Sequence, residues 1–471
     1  MNHRDGFHQA SMLERVMKRI GWMLLIMLSC APGTSGQPRN MMLEEPGEPP
    51  PFLFFEPVNL LAHDSSLSRL DIHYRIDQSF FVTVKNSDTS SLSSFVSHGE
   101  VLFEVFDSAE VSTARSIQKV EIGTARSDRE LPGKKWYRGI ASFEIPPGRY
   151  KIVFEVDDVE SERKFIDDHT TISLRQFATA SRETSTPLFV EWKDGQTSAD
   201  PLVPIGFGPN LLFGKAAAIY VELPFAADTI DNMRAEYAIS ANSSVTMSTS
   251  VVAAETLTNL LRQPRVRLTS ESGENGPTYT VSSNDSSNAL GVIIPLASER
   301  LPLRRYDLAL TIRLGDAEFK TTKKLQMVWP DMPFSLRDID FAISALKYIT
   351  TGSQRDSLLR GDLDERRDKL EAFWKTKDNT PETAYNEVMV EYYRRVDHAT
   401  RTFGTLREPD GFKSDRGRIY ILHGPPTKTV RTLSPTVGPQ EVWTYEKTGK
   451  KFIFADQTKS GNYVLISTEQ Q

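Results

Sequence analysis

A chain of 471 residues is too long for one hydrophobic core and fits about three domains. Its 39% apolar and 25% charged residues are the make-up of a folded protein, and a formal net charge of −6 gives no electrostatic footprint for a phosphate backbone, so nucleic acid is not the expected partner. A single cysteine excludes internal disulfides, leaving the domains to rest on packing.

The N-terminus reads as an export signal over residues 1–30. Lys18 and Arg19 precede an apolar run from Ile20 to Leu28, too short to span roughly 30 Å of hydrocarbon as a helix but suited to a signal core. A charged segment beginning at Met17 is compact without the residues before it, which read as an over-extended start. Cys30, after "MLS", resembles the lipidation cysteine of a bacterial lipobox, with Leu28 where a smaller residue is usual. The other reading is later cleavage, for instance after Gly36. Residues 31–50 are rich in Pro, Gly and Ser without apolar periodicity and read as a flexible tether.

Period-two alternation dominates from residue 51 onward. In "RLDIHYRI", Leu70, Ile72, Tyr74 and Ile76 share one face and Asp71, His73 and Arg75 the other, which predicts a half-buried strand with His73 in solvent. "VLFEVFD", "ASFEIPPGRYKIVFEV" and "TTISLRQF" continue the pattern, with Pro146, Pro147 and Gly148 as turn residues. A second set includes "TPLFVEW", "KAAAIYVELPF", "EYAISA", "STSVVAA", "ALGVIIPL" and "YDLALTIRL". Short strands without intervening helices predict two antiparallel β-sandwich domains, residues 51–182 and 183–330, joined near "ATASRETSTP". "RYKIVFEV" (149–156) and "RYDLALTI" (305–312) share an Arg-Tyr opening after a proline and the same apolar alternation, which points to a duplicated architecture. "SGENG" at 272–276 and "SNDSSN" at 283–288 read as polar turns.

Residues 331–471 read as an α+β domain, a helical segment followed by a small antiparallel sheet. Ser335 is the expected cap of a helix carrying Ile339, Ala342, Ile343, Leu346 and Ile349. In the charged stretch that follows, Leu363, Leu370, Phe373 and Trp374 are the apolar contacts. A longer helix is expected from an N-cap at Thr380, with Tyr385, Val388, Tyr392, Val396, Ala399 and Phe403 on one stripe and Gly404 ending it. Next, "GFKSDRG" reads as a turn in which Gly411 and Gly417 permit positive φ and Ser414 or Asp415 bonds main-chain amides, leading into a strand "RIYIL". "QEVWTYEK", "KKFIFADQ" and "NYVLIS" supply further strands.

The run "FWKTKDNTPETAYNEVMVEYYRRVDHATRTFG", then "GFKSDRGRIYILHGPP", "EVWTYEK" and "KFIFAD", resembles the GWxTD domain of bacterial exported proteins over residues 331–471. The naming pattern reads Gly411, Phe412, Lys413, Ser414, Asp415, so phenylalanine and serine stand for tryptophan and threonine. Both swaps keep an aromatic plug and a hydroxyl. Thr427 stands where an acidic residue often follows the Gly-x-Pro turn. The family carries no established activity.

The expected function is an exported, membrane-tethered, non-catalytic binding or scaffold protein of the cell envelope, periplasmic or associated with the outer membrane. Its expected partners are an envelope protein and, through Cys30, the membrane; no cofactor or metal is expected. Gly411, Phe412, Ser414, Asp415, Arg416, Gly417, Arg418, His423 and Gly424 are the structural-motif or candidate binding residues. The alternative is an exported hydrolase or carbohydrate-active enzyme with a cleft near Asp415 and His423 that also draws on Glu387 and Glu391. Glu387 and Glu391 stand at compensating spacing to Arg394 and Arg395, as in a solvated ion-pair lattice. "DGFKSD" fails as a calcium loop at Phe412, and "DLDERRD" fails at Arg366 and Arg367.

Overall fold

A computed structural model describes residues 52–470 apart from 88–92, 125–135, 179–181, 226–232, 243–248, 259, 265, 270–277, 282–288, 406–407 and 435–437. The export signal, Cys30, the tether and the two polar turns at 272–276 and 283–288 lie outside the described residues. Among the described residues no helix is long and apolar enough to cross a membrane.

The first β-region holds β1 (Leu53–Leu61), β2 (Ser68–Asp77), β3 (Thr83–Lys85), β4 (Phe95–Phe106), β5 (Ser112–Thr124), β6 (Trp136–Ile145), β7 (Gly148–Asp158) and β8 (Lys164–Leu174). One sheet runs β1-β2-β6; the other runs β5-β4-β7-β8, with β3 joined to the start of β4, and every pairing is antiparallel. Leu70, Ile72, Tyr74 and Ile76 of β2 meet Val101, Phe103 and Val105 of β4 and Ile152, Phe154 and Val156 of β7 in one core, where Phe103 and Phe154 stack at 4.6 Å.

The second region holds β9 (Leu188–Glu191), β10 (Leu211–Leu212), β11 (Ala217–Leu223), β12 (Met233–Asn242), β13 (Thr249–Leu257), β14 (Leu261–Pro264), β15 (Val266–Thr269), β16 (Thr278–Val281), β17 (Leu290–Leu296), β18 (Arg305–Leu314) and β19 (Ala317–Val328). Its sheets run β9-β11-β17-β14 and β13-β12-β18-β19-β10, with β15-β16 a separate hairpin. The order repeats the first sandwich: β9-β11-β17 matches β1-β2-β6, and β13-β12-β18-β19 matches β5-β4-β7-β8. The sequence echo falls on matching strands, β7 and β18. In both, the tyrosine hydroxyl donates to the carbonyl of a proline four residues back, Tyr150 to Pro146 and Tyr306 to Pro302, each at 2.8 Å. This is the tyrosine corner of immunoglobulin-like sandwiches, which pins the crossing from one sheet to the other.

The two sandwiches join through their β1-β2-β6 and β9-β11-β17 faces. Val58 and Leu60 of β1 and Ile140 of β6 form one apolar cluster with Leu188 and Val190 of β9, Ala218 and Tyr220 of β11 and Ile293 of β17. Consequently β2 is buried at all ten positions, and His73 is 1% exposed. The expected division of β2 into two faces is right, but its polar face is covered by the second sandwich and not by water. Within the connecting segment, Ser185 N–H bonds Glu222 O and Thr186 N–H bonds Asn59 O.

The C-terminal part holds α1 (Ile339–Ala345), α2 (Gly352–Leu358), α3 (Leu363–Lys375), α4 (Glu387–Phe403) and α5 (Asp415–His423), then a four-strand antiparallel meander of β20 (Lys428–Ser434), β21 (Gly438–Tyr445), β22 (Lys450–Ala455) and β23 (Val464–Gln470). The fold is thus mainly β with a C-terminal α+β unit. Asp338, not Ser335, caps α1; Ser335 is buried and its N–H bonds Asp397. Asn386, not Thr380, caps α4 by accepting from Met389 N–H, because Thr380 to Tyr385 form a turn that seats Tyr385 against Phe213 and Trp329. Leu363, expected as an apolar contact, is exposed.

"RIYIL" is the main departure: it lies in α5, not a strand. Ile419 and Ile421 alternate as in a strand because the helix is buried on two sides. Tyr420 stacks on His398 of α4 at 4.2 Å and meets Trp443 of β21 edge-on. Replacing Tyr150 or Tyr306 with Phe removes one corner hydrogen bond, and each change is expected to lower stability by about 1 kcal/mol, read by chemical denaturation; an unchanged midpoint counts against the corners as stabilising devices.

Candidate functional site

The 411–424 segment starts with a 3₁₀ turn, Gly411–Lys413, laid against the end of α4. Neither Gly411 nor Gly417 has positive φ, contrary to the expectation from sequence. Both are glycines because main chains touch there. A Cβ on Gly411 would overlap Ala399 O and Gly404 N, and one on Gly417 would overlap Gly411 O and lie 2.9 Å from Phe412 Cα. The positive φ belongs to Gly424, at +78°, which ends α5; its carbonyl accepts from Tyr445 OH at 2.9 Å.

Each motif side chain has an internal partner. Phe412 is 1% exposed and packs edge-on against Phe341, while its carbonyl accepts from Tyr348 OH at 2.8 Å. Ser414 caps α5, accepting from Gly417 N–H at 3.0 Å and donating to Gly411 O at 2.7 Å. One Asp415 oxygen accepts from Leu465 N–H of β23 at 2.9 Å; the other pairs with Arg418 at 3.2 Å. Arg416 lies between the Tyr463 and Phe403 rings, and its Nη1 meets the buried carboxylate of Glu441 at 3.3 Å. Burial lowers the pKa of this guanidinium and Glu441 works the other way. Glu441 also accepts from Trp443 Nε1 at 2.7 Å.

His423 does not join Asp415. The two sit at opposite ends of a nine-residue helix, about 12 Å apart at 1.5 Å per residue. His423 packs near Phe452 and Tyr445, and its pKa is lowered by burial first and then by Lys450 and Arg395. Glu391 pairs with Arg395 at 2.7 Å, and Glu387 accepts from Thr380 at 2.6 Å. Arg394, expected beside these glutamates, instead reaches Asp331. An open cleft of about 300 Å³ lies elsewhere, lined by Glu255, Leu296, Glu299, Arg300, Glu382 and Thr383. Among the described residues no group of three or more His, Cys, Asp or Glu is placed to hold a metal ion.

A second polar cluster, not singled out from sequence, fills the joint between the sandwiches. Arg69 Nη2 pairs with Asp71 at 2.6 Å, and Asp71 also accepts from Ser142 Oγ and Tyr279 OH, each at 2.5 Å. Burial works to raise the pKa of Asp71, but the adjacent Arg69 guanidinium holds it below the usual carboxylate range. Tyr279 OH also meets His73 Nε2 at 3.1 Å. Lys323 pairs with Glu56 and donates to Pro187 O at 2.5 Å. The available signal was the crowding of Arg69, Asp71, His73 and Arg75 on one strand face, which alternation alone assigns to solvent.

The GWxTD domain family matches residues 315–470. No curated protein matches the chain. Among solved structures, the C-terminal domain of the Streptococcus agalactiae AgI/II polypeptide BspA aligns at 9% identity and a TM-score of 0.15, over 58% of this chain and all of that one. A partial N-terminal region of enterococcal surface protein aligns at 11% identity and a TM-score of 0.15, over 61% of this chain and 98% of that one.

Among the described residues, removing Arg416 leaves the buried Glu441 paired with one cation, the exposed Arg431, beside its bond from Trp443. Arg416→Met is expected to cost about 3 kcal/mol, and adding Glu441→Gln to recover part of that, as measured in a double-mutant cycle of urea melts. Gly417→Ala is expected to destabilise the C-terminal unit more than Gly352→Ala, whose Cβ meets open space; equal melting of the two variants would exclude close approach as the reason for Gly417.

Proposed function

We propose that this chain, which carries a GWxTD domain over residues 315–470, is an exported, membrane-tethered, non-catalytic binding or scaffold protein of the bacterial cell envelope. The carrying observation is that the polar side chains of the motif have partners within the molecule: Ser414 in a helix cap, Asp415 with β23 and Arg418, Arg416 with Glu441. A reacting group needs an approachable face and a partner within hydrogen-bond reach. Asp415 and His423 are separated by the length of α5, so the arrangement favours architecture over a hydrolytic pair.

The tethering part rests on the sequence of residues 1–50, with Cys30 as the lipid-bearing residue and the Pro/Gly/Ser segment as spacer. The jointed sandwiches then present surfaces to an envelope protein, with the GWxTD unit packed against the second of them through Tyr385, Phe213 and Trp329.

Mass spectrometry of the mature N-terminus from native membranes is expected to find a lipid-modified Cys30, and Cys30→Ala to release the protein from the membrane fraction. An unmodified chain starting after Gly36 would overturn the anchor. Cross-linking in intact envelopes is expected to capture a stoichiometric protein partner. A hydrolytic activity that Asp415→Asn abolishes while the melting temperature holds would replace this reading with the enzymatic one.

A further inference from the structure

The joint between the sandwiches leaves a small, partly open void of about 10 Å³, lined by His73, Arg75, Arg138, Ile140, Pro204 and Gly206 among others. That is room for one water molecule. Three buried polar atoms on the two β2 residues lining it, His73 Nδ1, Arg75 Nε and Arg75 Nη2, have no hydrogen-bond partner among the described residues. His73 and Arg75 are 1% and 8% exposed and, two apart on one strand, share a face.

The surrounding bonds fix which proton His73 carries. Tyr279 has one hydroxyl hydrogen, and the carboxylate of Asp71 at 2.5 Å takes it. The Tyr279 oxygen therefore faces His73 Nε2 as an acceptor, so Nε2 bears the hydrogen. This leaves Nδ1 a bare acceptor, on the same strand face as a guanidinium that has only donors to offer. A water molecule satisfies both, one hydrogen toward Nδ1 and one lone pair toward Nε–H. A small anion suits Arg75 but meets the lone pair of Nδ1.

We propose that this void holds one ordered water that donates to His73 Nδ1 and accepts from Arg75 Nε–H, and that protonating His73, which ends that donation and sets a second positive charge beside Arg75, loosens the joint between the sandwiches. Once Nδ1 carries a hydrogen, the water must turn to accept from both Nδ1–H and Arg75 Nε–H, its own hydrogens lose their acceptor there, and a second positive charge enters the site.

The groups around His73 oppose that charge on balance. Arg69, Asp71 and Arg75 share its strand face; Glu56 of β1 lies opposite it, and Arg138 of β6 and Glu191 of β9 flank Arg75. Lys323 of β19 acts on it through space, and Tyr279 of β16 touches it. Burial first, then Lys323 and Arg69, pushes its pKa down to about 4 against the pull of Asp71. In an opened joint the imidazole returns to about 6.5. The open form then binds the extra proton between these values, so closure is complete above pH 6.5 and weakens as pH falls toward 4. The full effect is roughly 300-fold in the closing equilibrium.

A high-resolution crystal structure of the protein at neutral pH, repeated after a bromide soak, is the direct test. One solvent peak within hydrogen-bond reach of His73 Nδ1 and Arg75 Nε, without bromide anomalous signal, is expected; a dry void or a bromide peak overturns the proposal. Nitrogen-15 histidine spectra of the full chain should show His73 as the Nε2–H tautomer at pH 7, and a protonated Nδ1 overturns it. Amide exchange on β2 and β9, corrected for intrinsic rate, should accelerate from pH 6.5 to 4 in the wild type and stay flat in His73→Gln. An equal rise in both proteins removes His73 from the acid response.

Discussion

An ion pair withdrawn from water must regain from its neighbours the hydrogen bonds it gives up, and Arg69–Asp71 does so with groups from both sandwiches. Asp71 accepts from Arg69 on its own strand, Ser142 on β6 and Tyr279 on β16. Leaving such a pair short of a partner costs about 3–5 kcal/mol. The apolar cluster around Val58, Ile140, Leu188 and Tyr220 brings the two faces together without direction, while the polar network accepts one arrangement of them. The placement of the second sandwich on the first therefore depends on strand β2.

The same topology built twice makes this joint economical in form. Each sandwich pins its crossing strand with a tyrosine hydroxyl on a proline carbonyl, and each offers the matching face, β1-β2-β6 in one and β9-β11-β17 in the other. What differs is the use of the face. In the first sandwich it carries charged and imidazole groups; in the second, β11 supplies Ala218 and Tyr220 to the apolar cluster and Glu222 to bond Leu61 N–H at 2.8 Å. The connecting segment is drawn into the joint at Ser185 and Thr186 and so acts as part of it.

The C-terminal unit is organised by contact between main chains. Gly411 lies against the last turn of α4 and Gly417 lies on the turn that contains Gly411, so α5 approaches more closely than any side chain would allow. Phe412 then fills the space beneath, and Ser414 and Asp415 tie the helix start to its own backbone and to β23. Phenylalanine and serine perform the parts that the tryptophan and threonine of the family pattern name, since burial needs an aromatic ring and capping needs a hydroxyl.

The sequence by itself determined the strand faces, the echo at Arg149 and Arg305, the long stripe of α4 from Val388 to Phe403 and the aromatic and capping character of the 411–418 motif. These are local properties, set by side-chain period, turn chemistry and capping chemistry within a few residues. Tertiary structure decided the rest. It put His73 in a buried joint because the docked second sandwich covers that face. It made "RIYIL" a helix because burial on two sides gives a short helix the alternation of a strand. It gave Gly411 and Gly417 their reason, since close approach depends on how the 3₁₀ turn and α5 fold back on the end of α4 and on each other, which residue type alone does not reveal.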